Sequence, residues 1–278
     1  MHNNEQEVLL ADLRNRNARS FDALYKLYNM SLFNLAYRLT GNVTDSEDIL
    51  QETFLKVYES IDQFKGDSAL FTWIYSICLN LCYRYLENKK RLTFENMNRL
   101  IFENSGRDYH KDRYSEKEWY NYVNQVREGC LFALVRCLPV SQRTAFVLHI
   151  LLKIPLSSVA KILGKTNGST RVLICRGRQK IKNFLCTHCS LFGESNRCNC
   201  MNFVDYSLRK GLISPYQYDR SDKPSPLPEL IQKEISDLKK MLRLYGDLHD
   251  IIPSSTALAK LRSTIKNSKV GIFIHKKV

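Results

Sequence analysis

Apolar residues recur every three or four positions over most of residues 5–185, and this spacing predicts amphipathic helices. The pattern therefore favours an all-α fold. It is strongest in two blocks, 1–91 and 126–185, which we interpret as two helical domains. It dissolves between Leu92 and about Ser115, so the interval 92–125 is expected to hold a flexible linker and the start of the next helix.

The stretch 44–61 predicts a helix with two different faces. Its apolar residues recur at helical spacing, while Asp48, Glu52 and Glu59 fall on the opposite side. Acidic residues near the start, such as Asp45, complement the helix dipole. An outer face of this kind suits a basic partner.

A second helix is predicted after Gly66, capped by Asp67 or Ser68 and running to about residue 88. Its aromatic residues lie near a loop and a basic C-terminal end, an arrangement that can stack unpaired bases while holding phosphates. Packing of the same rings in a hydrophobic core is the alternative. For Trp73 and Ile74 the core is the preferred interpretation.

The segment 156–185 predicts a helix-turn-helix. An apolar first helix ends at Gly164, a turn follows, and the second helix carries Arg171, Arg176 and Arg178. The block 126–185 holds 11 lysines and arginines against one acidic residue, out of a net charge of +14 for all 278 residues. Such a concentration of positive charge indicates a polyanionic partner.

Residues 186–278 predict a small, cysteine-rich, helical C-terminal extension. Cys186, Cys189, Cys198 and Cys200 are spaced so that four thiolates could surround one Zn²⁺ ion. A structural zinc site, a metal or redox sensor, and unligated thiols all remain open. Two further helices are expected at 229–245 and 255–266, and the apolar stripe of the first needs a surface to cover.

The strings DSEDILQETFLKVY and FKGDSALFTWIYSICLN resemble domain two of the extracytoplasmic-function (ECF) RNA polymerase sigma factors. The string CLPVSQRTAF, together with the helix-turn-helix, resembles domain four of the same family. The resemblance implies two sigma-type domains, 1–91 and 126–185, of which the first recognises the minus-ten promoter element and the second the minus-thirty-five element.

In that family the acidic helix docks on the largest polymerase subunit, and the resemblance assigns this role to Asp48 and Glu52. A following loop captures a flipped base, and the next helix faces DNA. The resemblance and the basic charge together give these candidate DNA contacts: Phe64, Lys65, Ser68, Asn80 and Arg84 in the first domain, and Ser169, Thr170, Arg171, Arg176 and Arg178 in the second.

The function implied is a promoter-recognition factor whose partners are core RNA polymerase, promoter DNA and, as a further candidate, an anti-sigma protein. A metal-responsive helix-turn-helix regulator that acts without polymerase is the alternative. The acidic helix and the aromatic helix discriminate the two, because an operator-binding protein needs neither. A thiol oxidoreductase using Cys186 and Cys189 is disfavoured, since the pair does not lie in a βαβ unit.

No Gly-rich phosphate loop, catalytic carboxylate pair or nucleophile motif is found, so the sequence predicts no enzyme. No apolar run approaches the roughly 18–20 residues that a membrane span needs. The start MHNNEQE lacks the basic and apolar regions of a signal peptide. A cytoplasmic location without membrane insertion is therefore expected.

Overall fold

The structure is a computed structural model that describes residues 3–66, 68–87, 89–104, 111–214, 237–254 and 256–267. Within these ranges the only β-type pairing is an isolated bridge between Cys189 and Cys198, so the predicted all-α fold is confirmed. None of the described helices is both long and apolar enough to cross a membrane. The helices of the described residues are α1 (Asn3–Arg14), α2 (Ala18–Thr40), α3 (Val43–Ser60), α4 (Leu70–Glu87), α5 (Phe94–Asn104), α6 (Glu116–Cys137), α7 (Val140–Phe146), α8 (Leu156–Ile162), α9 (Asn167–His188), α10 (Val204–Arg209), α11 (Asp237–Gly246) and α12 (Ala257–Asn267).

The chain divides into two compact units that each draw on separate stretches of sequence. The first comprises Met1–Lys89, Ile154–Thr170 and Asp250–Val278, and the second comprises Lys90–Lys153 and Arg171–His249. The end of the first stretch lies close to the boundary predicted at residue 91. The boundary at Thr170 falls inside α9, which the sequence pattern did not indicate.

Helices α2, α3 and α4 form the core of the first unit. The ring of Phe54 on α3 is fully buried, and it contacts the rings of Phe21 and Tyr25 on α2 at centroid distances of 6.1 and 4.8 Å. Burial of a large apolar side chain contributes roughly 1.5–3 kcal/mol. Gly41 ends α2 in the left-handed conformation (φ 75°), which is the usual role of a glycine after a helix, and its N–H donates to the carbonyl of Tyr37.

The cap of α3 lies before the predicted start of the helix. The sequence favours Thr44, Asp45 or Ser46 as the cap, whereas Asn42 caps the helix and its side chain accepts a hydrogen bond from the Asp45 N–H at 3.0 Å. Asparagine caps as well as aspartate or serine. Val43 and Thr44 therefore enter the first turn. The acidic residues still lie near the helix N-terminus, where the dipole favours them.

The segment predicted as a linker contains a helix, α5. Its buried residues are Met97, Ile101 and Asn104, too few to give a clear period in the sequence. The helix start is set locally, because Thr93 N–H donates to Asn96 Oδ1 and Asn96 N–H donates to Thr93 Oγ1, both at 3.1 Å. Residues 105–110 of the predicted linker lie outside the described residues.

In the second unit, α6 begins with the capping box formed by Ser115 and Glu118 and ends just before Pro139. Helix α7 follows Pro139 directly, so Ser141, which the sequence predicts as the helix cap, lies in the first turn instead. Proline fits there because its ring presets the backbone angle of a helix start. A π-helical turn, Val147–Leu151, continues α7.

Helix α11 overlaps the predicted helix 229–245, and its described residues show which surface the apolar side chains cover. Met241, Leu244 and Tyr245 are buried, and α11 packs on the π-helical turn. The Tyr245 hydroxyl donates to the carbonyl of Leu131 at 3.0 Å, and its ring meets Phe146 edge-on at 5.1 Å. Residues 229–236 of the prediction, and the basic tail from residue 268, lie outside the described residues.

Candidate nucleic-acid interface

The outer face of α3 is acidic and exposed, as the sequence predicts. Asp48 and Glu52 both lie on this face. The Glu52 carboxylate accepts a hydrogen bond from Arg84 on α4 at 2.9 Å and lies 3.8 Å from the Lys56 ammonium. One predicted polymerase contact is thus paired with one predicted DNA contact. Exposed ion pairs contribute about 0–1 kcal/mol, so a partner can exchange them at little cost.

The loop between α3 and α4 is held by its aromatic residue. Phe64 is only 4% exposed; its ring packs against Trp73 at 5.3 Å, and its carbonyl accepts from the Arg14 guanidinium at 2.8 Å. Lys65 is exposed and Ser68 is half-buried. The structure therefore presents Lys65 to solvent and uses the Phe64 ring as an anchor.

Helix α4 carries an exposed polar residue, Asn80, beside buried aromatic and apolar residues. Asn80 is exposed, whereas Tyr75 is buried, and burial raises the pKa of the Tyr75 hydroxyl to about 12. Ser76 donates to the carbonyl of Thr72 at 2.9 Å and lies 3.5 Å from the carbonyl oxygen of Ile162 on α8. The ring of Tyr75 belongs to the core, and Asn80 is available to a ligand.

The predicted turn between α8 and α9 is present. Gly164 adopts the left-handed conformation (φ 61°) directly after α8. Thr166 then caps α9, because its Oγ1 accepts from the Ser169 N–H at 3.2 Å. Ser169 is exposed, whereas Thr170 is fully buried and donates to the Thr166 carbonyl. Of the two predicted contacts, Ser169 is accessible and Thr170 is a packing residue.

The remainder of α9 separates a charged side from a core side. Arg171 and Arg176 are exposed and Arg178 is half-buried, while Ile174 and Ile181 are buried. The apolar character of Val172 and Cys175 predicts that they cover the core side of α9, and this prediction is wrong. Val172 (46% exposed) and Cys175 lie on the exposed side, since the buried row passes through Ile174 and Ile181, seven residues or two turns apart.

Backbone hydrogen bonds and the side chain of one asparagine hold the cysteine-rich turn that follows α9. Cys198 N–H donates to the His188 carbonyl at 3.0 Å, and Ser190 N–H donates to the Cys198 carbonyl at 2.9 Å. The Asn196 amide reaches the carbonyls of Cys186 and Cys189, both at 2.9 Å. This network brings Cys189 and Cys198 side by side.

A further cysteine, Cys130, lies near this region, although the apolar helical pattern around it in the sequence predicts a simple core residue. Burial, and then the neighbouring Cys200, Cys198 and Cys189, hold the pKa of the Cys130 thiol well above its usual value. Burial likewise raises the pKa of Cys198 and of Cys200 to about 12. Cys130 lies on α6, against which the turn packs, and nothing in the spacing of the sequence links it to the other cysteines.

Cys186 has a different neighbour. Burial and a hydrogen bond to the carboxylate of Asp237 raise the pKa of its thiol. Within the described ranges, no three side chains of cysteine, histidine, aspartate or glutamate converge closely enough to hold a metal ion. The donor types suit zinc, but Cys186, Cys189, Cys198 and Cys200 do not converge as a ligand set in this arrangement.

Two stretches of the chain match known protein families. Residues 24–92 match Sigma-70 region 2, and residues 128–181 match Sigma-70 region 4. In these two regions the chain is similar to RNA polymerase sigma factors. The first matched region contains the acidic helix α3 with the loop and α4, and the second contains the helix-turn-helix.

Curated proteins that are similar to this chain are also sigma factors. The chain is 28% identical to the ECF RNA polymerase sigma factor SigE of Mycolicibacterium smegmatis over 63% of this chain and 65% of that relative, just under two thirds of its length. It is 27% identical to the RNA polymerase sigma-H factor of Pseudomonas aeruginosa, over 65% of this chain and 94% of the relative. The solved structure of CnrH in complex with the cytosolic domain of CnrY has 20% identity and a TM-score of 0.48, covering 65% of this chain and 96% of that one.

Proposed function

We propose that this protein is an ECF sigma factor, which binds core RNA polymerase through the outer face of α3 and directs it to specific promoters. The observation that carries the proposal is the order of the two family matches, Sigma-70 region 2 followed by Sigma-70 region 4, on one chain. The exposed acids of α3 and the exposed arginines of α9 supply complementary surfaces for a basic protein and for DNA.

The two regions would share the work of promoter recognition. Lys65 and Asn80 would contact the minus-ten element, where strands separate and bases can stack or be captured. The N-terminal part of α9 would enter the major groove at the minus-thirty-five element. The polymerase would perform the chemistry, so we propose no catalytic step for this protein. A cytoplasmic location follows from that partner.

The alternative, a helix-turn-helix regulator acting without polymerase, accounts for α8 and α9 alone. It gives no role to the exposed acidic face of α3 or to the match of residues 24–92 to Sigma-70 region 2. The sigma function is therefore the better explanation. An anti-sigma protein that occupies the same surfaces is part of this proposal.

The zinc prediction is kept as a proposal about the extension. Buried thiols are the donors that a structural zinc ion takes, and metal binding replaces their protons. Cys189, Cys198 and Cys200 have two neighbours that could complete a set of four, Cys130 and Cys186. Binding would require these thiols to move closer than they stand here.

The docking face is tested by reversing its charges. Asp48→Lys with Glu52→Lys should weaken binding of core polymerase at least about tenfold, because like charges in contact cost several kcal/mol. Affinity is measured by titrating labelled protein with purified core polymerase. The control is Glu194→Lys with Asp247→Lys, which makes the same charge change at two exposed positions of the second unit. Equal affinity for both double variants would move the docking face elsewhere.

The recognition helix is tested by truncating its exposed arginines. Arg171→Ala and Arg176→Ala should each cost about 1–3 kcal/mol of promoter binding wherever the side chain contacts a base, and should relax specificity there. Lys182→Ala, as a phosphate contact, should instead lower the salt dependence by about one unit. Holoenzyme binding to promoter and scrambled DNA measures both effects. Full sequence discrimination by both arginine variants would contradict the assignment of α9.

The zinc proposal is tested by elemental analysis of reduced protein purified without added metal. About one equivalent of zinc is expected, lost in Cys198→Ser and retained in Cys175→Ser, whose side chain is exposed on α9. Comparing Cys130→Ser with Cys186→Ser then identifies the fourth ligand, since only its loss should release the metal. Protein without zinc and with an equally stable extension would contradict the proposal.

A further inference from the structure

The end of the described chain packs on the helix that the proposed function assigns to polymerase. Residues 250–254 and α12, here called the C-terminal segment, belong to the first unit together with α2 and α3. About 200 residues of sequence separate the segment from these helices. Neither sigma match includes the segment, since they end at residues 92 and 181. Its position therefore needs a separate explanation.

The segment is first fixed on α2 by two buried polar side chains. Asn34, 1% exposed, donates to the carbonyl of Ile251 and accepts from the Ile251 N–H, both at 2.9 Å. Arg38, 3% exposed, donates to the Asp250 carboxylate at 2.8 Å. Buried polar groups need such partners, and here the C-terminal segment provides them. The spacing of apolar and polar residues in the sequence does not distinguish either residue from its neighbours.

Helix α12 then lies along α3. Its apolar side is formed by Leu261 and Ile265, which are 1% and 6% exposed. The Gln51 amide of α3 donates to Thr264 Oγ1 at 2.9 Å. At the margin, the Arg262 guanidinium donates to both oxygens of the Asp22 carboxylate. The contact thus combines an apolar centre with a polar rim.

This position overlaps the proposed docking face. Glu47 accepts a hydrogen bond from the Ser254 N–H at 2.8 Å, and Asp48, the next residue, lines a cleft together with Lys260 and Leu261. The rows 47/51 and 48/52 are adjacent on α3, and a helix with its side chains is about 10–12 Å wide. A protein that packs on Asp48 and Glu52 therefore meets α12.

We propose that the C-terminal segment competes with core polymerase for the docking face of α3. Polymerase then binds with its full affinity only after α12 has dissociated from α3. The inference rests on the proposed function and adds a regulation to the same site. The segment is suited to leave, because an isolated helix of 11 residues is marginal in water and depends on its contacts with the rest of the unit. Lys260 lines the same cleft as Glu47 and Asp48, so its positive charge complements the acidic face that polymerase would also use.

The apparent affinity for polymerase then depends on how often α12 is released. If the open form is about one tenth of the free protein, full release should tighten binding by about tenfold. Leu261→Asp in the full chain places a charge in the buried centre of the contact. We expect this variant to bind core polymerase about tenfold more tightly, with faster hydrogen exchange in α12 of the free protein.

The matched control is Ser263→Asp, which adds the same charge to the exposed side of the same helix. It should change neither affinity nor exchange. A second variant, Arg262→Glu, changes the rim of the contact and leaves the apolar centre intact. Its result therefore does not depend on whether Leu261→Asp folds correctly. It should shift affinity in the same direction by a smaller factor. Asp22→Arg combined with Arg262→Asp re-forms the ion pair and should restore the original affinity.

The failure of this inference differs from the failure of the proposed function. If Leu261→Asp releases α12 by hydrogen exchange and affinity stays unchanged, while Asp48→Lys with Glu52→Lys still weakens binding, the competition is wrong and the docking face stands. If that double charge reversal has no effect even with Leu261→Asp present, the docking face itself is wrong. If Leu261→Asp tightens polymerase binding, and adding Asp48→Lys with Glu52→Lys abolishes that gain, both the competition and the docking face are supported.

Discussion

Helix α3 must satisfy two opposite requirements, and the rest of the structure depends on this. One side, with Phe54 and Val57, fills the core between α2 and α4. The other side keeps its carboxylates in water, because an unpaired buried carboxylate costs several kcal/mol. Packing of the apolar side therefore fixes the direction in which the acids point. The exposed acidic face therefore arises from the same amphipathic period that folds the domain.

Local signals in the sequence were sufficient for much of this fold. Gly41 and Gly164 end helices where a left-handed residue is required, and the helix-turn-helix follows from apolar spacing around a turn. Local signals failed at three places, each for a different reason. Asn42 caps α3 in place of the residues 44–46, and α5 has too few buried residues to show a period. Val172 was assigned to the core for being apolar, although its position on α9 faces solvent.

Long-range pairings could not be predicted from the sequence. An apolar stripe shows that a helix needs a surface, but it does not show which surface. The hydrogen bonds between Asn34 and Ile251 join residues 217 positions apart, and the Cys186 thiol meets Asp237. For the same reason the spacing of four cysteines suggested a single site and missed Cys130. The candidate site was predictable where one helix carries it, and unpredictable where separate segments meet.

Transcription with purified core polymerase on a library of randomised promoters tests the central claim most directly. The account predicts that the protein makes core polymerase initiate on a subset of templates sharing two sequence elements, one near position minus ten and one near minus thirty-five. Since each element is read by a different domain, the spacing between the two should be restricted. Binding of the free protein to single sites without any polymerase-dependent initiation would contradict the account and would favour a regulator that acts alone.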